Sequence, residues 1–239
     1  MWQKYSGEKI DGAVAIDPTA IGYLLDIASA ISEKLISAHG SSQLIRAGQK
    51  AASQRRLLVW SADESIESTL RQTDLSGTLE PGSRPFAGFT TTNATGGKLD
   101  YYLQRSMTYS HTGCATATTT STFRLTNAAP AGVLPSYVTI RADHPTYPTR
   151  PADNKVLVSY YTTARAQVDL VTVDGVKTLV APQSEHGLTV FTVAIELKRG
   201  STHTGTVRSH EPARTGSVQI LKQPSVNPLV VSVHESPCT

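Results

Sequence analysis

Cys114 and Cys238 are the only two thiols in a chain of 239 residues. With no third cysteine to compete, their spacing predicts a disulfide that closes a loop of more than a hundred residues; two unrelated free thiols are the alternative. In the chain-entropy picture such a bond contributes up to ~4 kcal/mol. A second group of reactive side chains is basic: Arg46, Lys50, Arg55 and Arg56. Arg46, Arg55 and Arg56 are candidates for contact with an anionic ligand, set against a plain solvated helix face and strand entry. Asp11 and Asp17 flank a short apolar run, but along a strand they stand about 20 Å apart, too far for a shared metal or proton. Asp17 before Pro18 reads better as a helix cap.

The rest of the chemistry is thin. Seven histidines, at 39, 111, 144, 186, 203, 210 and 234, are never three to five residues apart, so no zinc pair is expected. Phosphate-cradling glycine loops, HExxH, CxxC and GxSxG are absent, and no triad can be picked from scattered Ser, His and Asp without geometry. No catalytic residue, metal or cofactor is expected. The composition, 39% hydrophobic and 17% charged, is that of a folded chain, and a net charge of +3 spread along the sequence does not make a nucleic-acid surface. No run of about 20 apolar residues crosses a bilayer, and the first residues lack the apolar stretch of a signal peptide. A cysteine pair around a strand-rich segment suits an oxidising compartment, so an export or anchoring segment is expected upstream.

The elements that must position these residues fall in two parts. Val14–Ile16 reads as a strand, and Ile21, Leu24, Leu25, Ala28, Ile31 and Leu35 repeat at helical spacing up to Gly40. Ser41 or Ser42 caps a second helix with Leu44, Ile45, Gly48, Ala51 and Ala52 on one face. Leu57–Trp60 is a buried strand, and Ser61 to Glu64 has capping-box spacing for a third helix carrying Ile66 and Leu70. Two strands are too few for a sheet covered on both faces, so this part reads as a truncated α/β unit.

From Tyr101 onward the pattern is extended. Runs at 101–109, 115–126, 154–161, 168–173, 177–180, 191–197, 218–221 and 229–233 alternate or cluster as strands, with Asp174-Gly175 as a hairpin turn. Prolines sit between these runs, as ladder hydrogen bonding requires. The fold class is α+β: a truncated unit with about three helices over residues 1–94, then an immunoglobulin-like antiparallel β-sandwich over 95–239.

Several strings carry a resemblance. Asp11-Gly12-Ala13-Val14-Ala15-Ile16-Asp17-Pro18-Thr19-Ala20, Arg55 to Ser61, Lys98 to Leu103, Leu125 to Pro130 and Gln223-Pro224 together resemble the Gram-positive bacterial envelope family called domain of unknown function 4012. The front part of that family is similar to the LytR-CpsA-Psr ligases, which move glycopolymers from a polyprenyl-phosphate carrier to peptidoglycan. The ligases' Ser-Ile-Pro-Arg-Asp type of string does not occur here, and Asp26-Ile27-Ala28 runs almost directly into Ile31 to Lys34 where the family carries a longer segment. The resemblance therefore implies a non-catalytic envelope scaffold or binding module, outside the cell or in its envelope, with a cell-wall polymer or another envelope protein as partner. The alternative is a glycopolymer phosphotransferase remnant whose anionic carrier would meet Arg46, Arg55 or Arg56. Carbohydrate stacking on Tyr160 or Tyr161 is a weaker idea, since adjacent strand residues face opposite ways.

The disulfide is directly testable. Protein recovered from an oxidising compartment should show no titratable thiol and should change mobility on reduction, whereas two free thiols would remove the bond.

Overall fold

The computed structural model describes residues 7, 9–17, 40–79, 82, 84–112, 116–213 and 215–235. Cys114, Cys238 and the helix expected after Pro18 lie outside the described residues. The chain divides into two compact units, 1–79 and 80–239. The segment Phe86–Asn93, on the N-terminal side of the boundary expected at 94/95, is a strand of the second unit.

In the first unit β1 (Gly12–Ile16) pairs antiparallel with β2 (Leu57–Ser61), in register from Gly12↔Ser61 to Ile16↔Leu57. Helix α1 (Gly40–Ser53) buries Ala47, Ala51 and Ala52, while Ile45, expected on that face, is exposed. It ends where the amides of Arg55 and Arg56 donate to the Ala52 and Ala51 carbonyls, at 2.7 and 2.8 Å. Arg55 takes the left-handed conformation, φ 57°, that commonly closes a helix. Helix α2 (Glu64–Leu70) is capped by Asp63 rather than by Ser61: Asp63 Oδ1 accepts from the Ser65 and Ile66 amides at 2.8 and 3.3 Å. Ile66 stays exposed, and Glu67 is the residue that turns inward, its Oε2 accepting from the Ser61 amide at 2.9 Å.

The second unit is two sheets around one core. Its strands are β3 (Phe86–Asn93), β4 (Leu103–Thr112), β5 (Thr116–Asn127), β6 (Asn154–Thr162), β7 (Gln167–Val173), β8 (Val176–Lys177), β9 (Gln183–Glu185), β10 (Leu188–Leu197), β11 (Thr202–Pro212), β12 (Gln219–Lys222) and β13 (Val230–Glu235). One sheet has the order β12-β3-β6-β10-β9, the other β13-β4-β5-β11-β7-β8. Alternate residues point inward, as pleating dictates: Phe89, Val156, Val158, Tyr160, Phe191, Ile195 and Leu197 from the first sheet meet Met107, Tyr109, Phe123, Leu125, Val171 and Val207 from the second. The Phe89 and Phe123 rings touch across the gap with centroids 5.5 Å apart.

The chain is thus β-rich α+β, and the two sheets of its second unit are mixed rather than antiparallel. β12 runs parallel to β3 and β13 parallel to β4, because one C-terminal segment returns along both starting strands. The β7–β8 hairpin turns at Asp174-Gly175 as expected, with φ of 51° and 79°, though β8 is only two residues long. A short helix α3 (Ser136–Thr139) and a 3-10 turn (Leu99–Tyr102) close one end, where Leu99, Ala129, Val138 and Ala152 make a small second core.

Gly205 on β11 explains how the largest rings fit. It lies opposite Phe123, and a methyl group built there would fall 2.0 Å from the ring's far carbon. The missing side chain is the space that the ring occupies. Gly205→Ala is expected to cost about 1–3 kcal/mol through overpacking, read as a lower urea midpoint with an unchanged slope; a midpoint equal to wild type would mean that Phe123 repacks freely.

Candidate functional site

The arginines singled out in the sequence are held in different ways. Arg56 is buried and paired with Asp17, Nη1 to Oδ2 at 2.7 Å, and the Asp17 amide returns a bond to the Arg56 carbonyl at 3.0 Å. Arg55 Nη2 donates to the Gly77 carbonyl at 2.7 Å, and burial lowers its pKa. Arg46 is exposed on α1. Asp17 and Arg56 therefore join the ends of β1 and β2; the helix that Asp17 was expected to cap lies outside the described residues. Tyr160 and Tyr161 are both buried: the Tyr160 hydroxyl donates to Ser121 Oγ at 2.5 Å, and that of Tyr161 to Glu185 Oε2 at 3.0 Å. Burial raises the pKa of both phenols, that of Tyr161 to about 12. Neither ring lies open for a sugar to stack on.

Two charged groups inside the sandwich carry no signal in the hydrophobic pattern. Glu211, 2% exposed on β11, accepts from Thr119 and Thr162 at Oε1, at 3.1 and 2.9 Å, and from Thr163 and Tyr109 at Oε2, at 2.5 and 3.5 Å. The Phe86 amide in turn donates to Thr163 Oγ1 at 2.9 Å. Burial, with Glu211 next in weight, holds the Tyr109 phenol protonated well above its usual range. Toward the opposite end of the strands, Arg105 turns inward from β4. Its Nη1 reaches Gln223 Oε1 at 2.8 Å and Thr91 Oγ1 at 3.3 Å, and its Nη2 reaches the Gln223 carbonyl at 3.1 Å and Ser225 Oγ. Burial lowers its pKa and nearby Asp100 opposes that. Both charges are consumed in joining one sheet to the other.

A third ionic group sits nearer the surface. Arg141 Nη1 meets Glu196 Oε1 at 2.5 Å, and its Nε and Nη2 meet the two oxygens of Asp143 at 2.9 and 2.8 Å. Burial works against the guanidinium, but the two carboxylates outweigh it and raise its pKa.

An open cleft of roughly 820 Å³ lies at the same end of the second unit as Arg105, between the β5–β6 connection and the β10–β11 turn. Asn127 and Asp153 fix its walls. Asn127 Nδ2 donates to the Ala152 and Leu197 carbonyls at 2.8 and 3.1 Å. Asp153 Oδ2 and Oδ1 accept from the amides of Arg150 and Arg199 at 2.8 and 3.1 Å. Arg150, Lys198 and Arg199 line the opening together with Val133, Leu134 and Pro148. No three His, Cys, Asp or Glu side chains converge as a metal set among the described residues. No helix among them is long and apolar enough to cross a membrane. Arg150 and the Lys198-Arg199 pair each stand at a turn between strands, and nothing local in the sequence links the two turns.

No family model matches the sequence, and no curated protein matches it. Among solved structures, a "putative nutrient binding protein" from Legionella pneumophila overlays at a TM-score of 0.32 and 7% identity, covering 54% of this chain and 43% of that one. The match thus spans less than half the length of that structure.

Replacing Glu211 tests its place in the interior. Glu211→Leu leaves several buried hydroxyls without an acceptor, at about 1–3 kcal/mol each, while Glu211→Gln keeps one acceptor oxygen. Chemical denaturation should rank wild type above Gln and Gln above Leu; a leucine variant as stable as wild type would remove Glu211 from the structural account.

Proposed function

We propose that this protein is a non-catalytic binding or scaffold module of the bacterial cell envelope, built on an immunoglobulin-like β-sandwich and stapled between Cys114 and Cys238. One observation carries the reading. The charged groups inside the sandwich are spent on structure, Glu211 on hydroxyls and Arg105 on Gln223, whereas the side chains of Arg150 and Lys198 at the cleft enter no ion pair or hydrogen bond among the described residues. Polar groups withheld from the fold and gathered at an open concavity are what a binding surface needs. The resemblance to the domain of unknown function 4012 family supports an envelope location and a cell-wall polymer or envelope protein as partner.

The phosphotransferase reading has less behind it. An anionic lipid carrier would need several guanidinium groups together, and of the three candidates those of Arg55 and Arg56 are engaged with Gly77 and Asp17, while Arg46 is exposed on α1. Folds of this kind host many functions, so the site decides, not the sandwich.

Purified protein is expected to co-sediment with isolated Gram-positive cell walls and to release no phosphate from a polyprenyl-pyrophosphate analogue with magnesium. Turnover that disappears in Arg55→Ala would replace this reading with the enzymatic one, and a failure to co-sediment would count against the cell wall as partner.

A further inference from the structure

The cleft between the β5–β6 connection and the β10–β11 turn has the composition of an oxyanion site. Three cations line it, and its one carboxylate, Asp153, is occupied by the main-chain amides of Arg150 and Arg199 rather than by their guanidinium groups. Arg199 is only partly committed: Nη1 donates to the Gly132 carbonyl at 2.9 Å, but Nε is buried with no hydrogen-bond partner. Val133 stands fully exposed beside Leu134 and Pro148, so an apolar wall adjoins the charged rim. The walls are preset, because Asn127 and Asp153 bind both of the segments that form them.

We propose that this cleft binds a phosphate or carboxylate group carried on a larger organic body, with Arg150, Lys198 and Arg199 holding the anion and the Val133–Leu134 wall receiving the body. The proposal rests on the binding-module reading and names the ligand chemistry. Guanidinium groups suit it because they offer paired donors to an oxyanion, and a lysine adds a mobile point charge. A cation-rimmed concavity with low-dielectric walls also raises the local anion concentration. Aromatic side chains that would stack nucleobases are missing from the lining, so a charged, non-aromatic ligand fits best.

Calorimetric titration with three probes decides it: inorganic tripolyphosphate, trigalacturonate and uncharged maltotriose. At least one anionic probe should bind, with an affinity that falls as salt rises from roughly 0.05 to 0.5 M. The double variant Arg150→Ala/Lys198→Ala, which alters exposed side chains only, should weaken that binding by about tenfold or more with an unchanged thermal melt. Whichever of phosphate and carboxylate binds more tightly identifies the source of the oxyanion. Binding of maltotriose alone, anion binding unaffected by the double variant, or no binding of any probe by protein that still co-sediments with cell walls would each overturn the anion site while leaving the binding-module reading in place.

Discussion

A carboxylate that leaves water for the interior of a β-sandwich must find donors there, since alkyl groups cannot offset its desolvation. Glu211 finds them on both sheets: Tyr109 and Thr119 belong to its own sheet, and Thr162 and Thr163 lie on and just after β6 of the other. The consequence is geometric as well as energetic. Hydroxyl hydrogen bonds fix how far β6 can slide against β11, which apolar contacts alone would leave loosely determined. The Phe86 amide, bonded to Thr163, carries the same constraint into β3. Arg105 plays the matching part toward the other end, where its guanidinium draws the segment carrying Gln223 and Ser225 against β3 and β4. Each buried ion is met by neutral dipoles that need no second buried charge.

With the sheets aligned in this way, the loops at the Arg105 end have a rigid base. The β5–β6 connection, folded over its own small core of Leu99, Ala129, Val138 and Ala152, and the β10–β11 turn both hang on Asn127. Loops on a stiff scaffold are where binding groups concentrate. Here the scaffold satisfies its own ions internally and leaves Arg150 and Lys198 to face solvent.

The sequence made the β-rich class visible wherever one face of a strand was apolar. Phe191, Val193, Ile195 and Leu197 on β10, and Phe123 and Leu125 on β5, alternate cleanly and are buried as their spacing requires. β11 is different. Its inward residues are Gly205, Val207, Ser209 and Glu211, so only one of the four is a large apolar group and the period-two signal vanishes. β3 is blurred in the same way by Gly88 and its threonine run, and β9 is three exposed polar residues. On β11 tertiary partners, a ring over Gly205 and hydroxyls around Glu211, replace the apolar side chains that a pattern can detect, and on β3 Gly88 leaves room for Leu221. The cleft was equally hidden, because Arg150 and Lys198 are far apart in sequence and only the sandwich brings their turns together. Asp17, Arg55 and Arg56 stood out in the sequence, and they prove to be bonded within the small front unit.

β12 and β13 each lie parallel along a strand that the chain laid down more than a hundred residues earlier. During synthesis, β3 and β4 must wait for residues 219–235 before their outer backbone amides and carbonyls are paired. Pairings so distant in sequence form slowly, because the loop must close before any contact rewards it. Until then β3 and β4 are themselves sheet edges, open to any neighbouring strand, a place that the shorter β12 and β13 take in the finished fold. The nascent chain is therefore at its most adhesive in the interval before residues 219–235 take their places beside β3 and β4.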